Sequence, residues 1–79
     1  MAAKPKISDL EQIGSNIRRI RSTQGVSRSQ LAFELGTSEK QLSRIELGET
    51  NTGIATYIKI AKLLNVGFSE LLYKVKVKI

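Results

Sequence analysis

Residues 27–48 read SRSQLAFELGTSEKQLSRIELG, and the architecture turns on how this stretch divides. Ser27 stands three residues before Gln30, directly ahead of the apolar set Leu31, Ala32 and Leu35. A serine at that spacing from a glutamine, followed by apolar residues at helical intervals, marks a helix start. Gly36-Thr37 interrupts the pattern. Ser38 and Gln41 repeat it at once, with Leu42 and Ile45 as inward residues. Gly48 closes the second segment, since glycine takes the left-handed conformation that ends helices. The stretch predicts two helices of two to three turns, the first from Arg28 to Leu35, joined by a tight glycine turn.

Working outward, Leu10, Ile13, Ile17 and Ile20 follow 3,4,3 spacing, one stripe of an amphipathic helix. Ser8 and Glu11 form a capping box at its start, and Gly25 suits its end. Arg18 and Arg19 fall off the stripe and face water. Downstream, Glu49 to Gly53 is polar and loop-like. Ile54, Tyr57, Ile58, Ala61 and Leu64 then outline a fourth helix, with Lys59 and Lys62 outside and Asn65 as its stop. Phe68, Leu71 and Leu72 suggest a very short fifth. The end changes period: Tyr73, Val75, Val77 and Ile79 alternate with Lys74, Lys76 and Lys78, which predicts a strand. The expectation is an all-α domain of five helices over residues 9–72. A flexible basic arm, 1–8, precedes it, and a short C-terminal β-strand, 73–79, follows.

Seventy-nine residues suffice for one small domain. Hydrophobic residues make up 41% and charged residues 25%, close to an ordinary globular chain, which excludes collagen-like and disordered classes. The start MAAKPKISDLEQ has no apolar stretch for export and reads as cytoplasmic, and no apolar run approaches a membrane span. Cysteine and histidine are both absent, removing disulfides, thiolate metal sites and the commonest general base. No cofactor, metal or catalytic residue is expected. The net charge of +6 points to a polyanionic partner. Half of that excess, however, sits on the three lysines of the tail, so charge alone says little about the helical part.

The segment GVSRSQLAFELGTSEKQLSRIELGE, followed by IATYIKIAKLLNVGFSELL, resembles the Cro/repressor-type helix-turn-helix domains of the XRE family. Ser27, Leu31-Ala32, Gly36, Ser38, Leu42, Ile45, Glu46, Gly48, Ile60-Ala61 and Leu71 carry the likeness, which covers about residues 10–72. It implies a five-helix, lambda-repressor-like fold whose third helix enters the DNA major groove.

The resemblance gives Glu39, Lys40, Gln41 and Arg44, on the exposed face of that helix, the base-reading role. Their chemistry suits it: arginine pairs with guanine O6 and N7, glutamine with adenine, and lysine with guanine or phosphate. Glu39 needs cytosine N4, Lys40 or Arg28 as a partner, and Gln41 competes with its capping duty at Ser38. Phosphate contacts are expected from Arg28, where relatives often carry glutamine, and from the Ser27 and Ser38 helix starts, where free N–H groups and the dipole favour an anion. Asn51 and Thr52 in the following loop are further phosphate candidates, although that loop lacks the cations common among relatives. By the same resemblance, Arg21 and Glu46 form a largely buried ion pair that ties the third helix to the first. Phe33 stands at a position that is ordinarily polar.

The implied function is a sequence-specific, double-stranded DNA-binding transcription regulator, a repressor acting as a homodimer without a sensor domain of its own. Tyr73, Val75, Val77 and Ile79 would form the dimer strand, since a lone strand leaves its backbone groups unpaired. The alternative is an antitoxin-like or bridging module whose main partner is a protein, a toxin or a co-regulator, with DNA binding secondary. Phe33, the apolar alternation of the tail and the acidic loop after Gly48 are its marks.

Overall fold

The structure, a computed structural model, describes residues 8–75, and these form five helices and their short connections. Helix α1 spans Asp9–Thr23, α2 Arg28–Leu35, α3 Glu39–Glu46, α4 Ile54–Leu63 and α5 Phe68–Leu71. The capping box at α1 is complete: Ser8 Oγ accepts from the Glu11 N–H, and Glu11 Oε1 accepts from the Ser8 N–H, both at 3.1 Å. At α2 and α3 only half of the expected box forms. Ser27 and Ser38 accept from the Gln30 and Gln41 N–H groups at 3.0 Å, but neither glutamine side chain reaches back. The connection between α2 and α3 turns at Gly36, whose φ of 79° lies in the left-handed region.

Each helix gives its apolar face to one core, with α3 lying against both α1 and α2, and α4 against α2 and α5. Ile17, Leu31, Leu42, Ile60, Leu64 and Leu71 are fully enclosed, with Ile20, Ala32, Leu35, Ile45, Tyr57 and Ala61 around them. The inward face of α4 differs from the expected one. Tyr57, Ile60, Ala61 and Leu64 point inward, while Ile54 and Ile58 are exposed.

Two positions in α1 hold the arrangement without belonging to its apolar stripe. Gly14 lies where α1 meets the end of α3, and a Cβ there would be driven into the carbonyl groups of Ile45 and Glu46. Asn16 is buried, and its Nδ2 donates to the carbonyls of Leu71 and Tyr73, each at 2.8 Å.

Those two bonds correct the expectation of a strand at the C-terminus. Leu72, Tyr73 and Lys74 form a turn, Lys74 has a φ of 65°, and the Val75 N–H donates to the Leu72 carbonyl at 2.9 Å. A strand needs its carbonyls free for a neighbouring strand, and here those of Leu71 and Tyr73 are committed to Asn16. Among the described residues no strand forms. Val77 and Ile79, the rest of the expected dimer strand, lie outside the described residues. The Tyr73 ring instead has two cations near it, the Arg19 guanidinium 5.6 Å and the Lys74 ammonium 5.5 Å from its centre.

Burial pushes the Tyr57 phenol above its usual 10.0, with the Thr52 backbone pulling the other way. The folded chain thus keeps this proton to higher pH than the unfolded chain does. Stability from Tyr57 is complete below pH of about 10 and falls as the pH climbs past it. Melting temperatures measured from pH 8 to 11 are expected to stay level and then drop, and Tyr57→Phe should shrink the drop. An undiminished drop in that variant would show that Tyr57 is not its cause.

Candidate nucleic-acid interface

Helix α3 separates its residues cleanly. Leu42, Ile45 and Glu46 are buried, Glu39, Lys40 and Arg44 are exposed, and Gln41 and Ser43 lie between. Arg44 follows Lys40 by four residues and Gln41 by three, so the three side chains share one face of the helix. The structure therefore brings Lys40, Gln41 and Arg44 together on one surface, while Glu39 is exposed at the start of the helix, off that face. Of the partners open to Glu39, neither Lys40 nor Arg28 pairs with it in the free protein: among the described residues the ion pairs are Arg21–Glu46 and Arg28–Glu46. Glu39 stands free at the start of α3. Gln41, released from the cap, lines a shallow groove of about 380 Å³ between α2, α3 and α4.

That groove places Gln41 with Thr52, and adds Thr37, Thr56 and Lys59, which the sequence reading did not single out for this face. Lys59 Nζ donates to the Leu35 carbonyl at 3.3 Å and so closes the end of α2. Asn51 is exposed and lies outside the groove lining. Ser27 and Ser38 are exposed at the starts of α2 and α3, each satisfying one backbone donor and leaving earlier ones open.

Arg21 and Glu46 are joined as expected. Arg21 Nε donates to Oε2 at 2.7 Å and Nη2 to Oε1 at 3.2 Å, and the side chains are 10% and 2% exposed. Arg21 Nη1 also donates to the Val26 carbonyl at 3.0 Å, fixing the turn into α2. Arg28 is the finding that sequence reasoning missed. Its Nε lies 3.6 Å from Glu46 Oε1, so this carboxylate serves two arginines. Nothing local in the sequence announces that contact, because its partners lie on different helices.

A short second helix followed through a glycine turn by a third, with the polar face of the third open and its other face locked into the core, defines a helix-turn-helix domain. The HTH_3 family, described as helix-turn-helix, matches residues 17–71, and the chain belongs to it. Over 59 residues the chain is 32% identical to an HTH-type transcriptional regulator, y4dJ, of Sinorhizobium fredii, a match covering 75% of this chain and 77% of that one. It is 39% identical over 57 residues to the HTH-type transcriptional regulator SutR of Escherichia coli, covering 72% of this chain and 32% of SutR. Among solved structures it is similar to the restriction-modification controller protein C.AhdI of Aeromonas hydrophila, with 30% identity and a TM-score of 0.75. That match covers 80% of this chain and 96% of the controller. Two of these relatives are named transcriptional regulators and the third a controller protein, and with its family this chain is a DNA-binding transcription regulator, not an enzyme.

Proposed function

We propose that the protein is a cytoplasmic, sequence-specific repressor that binds an operator as a homodimer, with α3 in the major groove. The observation that carries this reading is the exposed face of α3, where Lys40, Gln41 and Arg44 stand together while the opposite face is fixed in the core. A helix held this way presents its exposed side chains to base edges without itself having to be ordered first. One helix of eight residues spans only a few base pairs, too few to mark a single place in a genome. Two copies related by a two-fold axis double the site, with their reading helices one DNA turn, about 34 Å, apart. Arg28, Ser27 and Ser38 hold the phosphates that flank each half-site, with Asn51 and Thr52 from the loop before α4.

Selection of bound duplexes from a random pool at fixed salt tests the reading. Enrichment of a two-fold symmetric motif is the expected result, and no enrichment would overturn it. Within that motif, Arg44→Ala should relax the preference at one position per half-site, losing about 1–3 kcal/mol there. A uniform loss on every sequence would instead move Arg44 from the bases to the phosphates.

Phe33 supports a second reading. It is 82% exposed on the outer side of α2, where an aromatic ring gains nothing from water. A protein partner covering it would make this a bridging or antitoxin-like module, and Phe33→Ser should then abolish co-purification of that partner while leaving DNA binding intact.

A further inference from the structure

Glu46 holds two guanidiniums, and the second belongs to the residue proposed to meet a phosphate. Arg21 takes the carboxylate through Nε and Nη2. Arg28 approaches Oε1 with its Nε at 3.6 Å, close enough for an ion pair but beyond a hydrogen bond. That Nε is closed off from water and has no hydrogen-bond partner, although 41% of the Arg28 side chain is exposed. The terminal nitrogens of Arg28 are neither buried nor bonded to any described residue. The guanidinium is thus held along its inner edge and open along its outer one. Two cations on one anion leave a surplus positive charge at the start of α2, where the helix dipole adds to it. Because Glu46 is the last residue of α3, one carboxylate links the start of α2 to the end of the reading helix.

We infer that Glu46 is a positioning residue for DNA phosphate: it fixes the inner edge of Arg28 so that the outer edge presents its N–H groups to the backbone. The inference rests on the phosphate role proposed above for Arg28. Arginine suits this double duty because its planar fork offers donors on two edges at once. A lysine ammonium at this position has to divide one point charge between Glu46 and the phosphate. Phosphate contacts carry no sequence information, so the effect must appear equally on all DNA.

The test compares Arg28→Lys and Arg28→Gln with the parent, titrating a labelled mixed-sequence duplex across a salt series. Arg28→Lys should bind about ten-fold more weakly than the parent, nearly as weakly as Arg28→Gln, despite keeping the charge. Arg28→Gln should also reduce the slope of log affinity against log salt by about 0.9, one phosphate's worth. Glu46→Gln, assayed where circular dichroism shows it folded, should weaken binding in the parent but add little to Arg28→Gln. Should that variant not fold, the lysine and glutamine variants decide alone. Parent-like binding by Arg28→Lys would mean that charge suffices and Glu46 positions nothing. Parent-like binding by both variants, with lowered melting temperatures, would make the Arg28–Glu46 contact purely structural. A parent that binds no duplex at all would sink the DNA reading itself, an outcome distinct from either.

Discussion

Glu46→Ala is expected to lose roughly 3–5 kcal/mol of folding stability, because it strands the Arg21 guanidinium in the interior. Arg21 and Glu46 are almost wholly enclosed and joined by two hydrogen bonds. The alanine variant keeps the cation and removes its counter-charge. Arg28 is less affected, since its half-exposed side chain can turn toward solvent. A domain of this size holds about 4–12 kcal/mol in total, so the loss decides whether it is folded at growth temperature. Removing both charges separates the stranded cation from the lost contact. Arg21→Met/Glu46→Leu should recover much of the deficit, as apolar pairs often replace buried ion pairs without loss. Urea unfolding at neutral pH measures both variants. A deficit below about 1 kcal/mol for Glu46→Ala would place the pair in effective contact with solvent.

The helices were legible because their signals are local. Serine caps mark the starts of α1, α2 and α3, apolar spacing marks α4 and α5, and all five helices form where those signals stand. The inward face of α4 was not, because Ile54, Ile58 and Ile60 compete for it, and only the positions of α2 and α5 select Ile60. The capping boxes at Gln30 and Gln41 failed where the one at Glu11 succeeded. A carboxylate accepts more strongly than a neutral amide, and bonds to charged groups are about twice as strong. The tail alternated like a strand, yet Asn16 captures the carbonyls of Leu71 and Tyr73 from more than fifty residues away in the chain. No periodicity carries such a contact. On α3, the exposed residues follow from helical geometry once Leu42 and Ile45 are placed inward. Arg21 with Glu46 came from the family likeness, and Arg28 with Glu46 came only from the fold.

Gly14→Ala is expected to destabilise the protein, against the ordinary preference of a helix interior for alanine. In an unobstructed helix that exchange gains about 0.5–1 kcal/mol, since glycine has more freedom to lose. Here the added methyl would sit 2.5 Å from the Ile45 carbonyl oxygen and closer still to that of Glu46. Real Cβ contacts do not fall below 3.0 Å, and the obstruction is backbone, which cannot swing aside as a side chain does. Either α1 moves away from α3 or both helices distort. Both outcomes also stretch the Arg21–Glu46 pair, whose members belong to the same two helices. Overpacking of this kind costs about 1–3 kcal/mol, and the backbone contact places Gly14→Ala at about 3 kcal/mol. Ser15→Ala is the control, being next in sequence, exposed and free of the contact, and it should be neutral or slightly stabilising. Thermal melts are expected to show a lowered midpoint for Gly14→Ala and an unchanged or slightly raised one for Ser15→Ala. A stabilised Gly14→Ala protein would mean that α1 and α3 part without resistance, and that neither the close approach at Gly14 nor the ion pair fixes their separation.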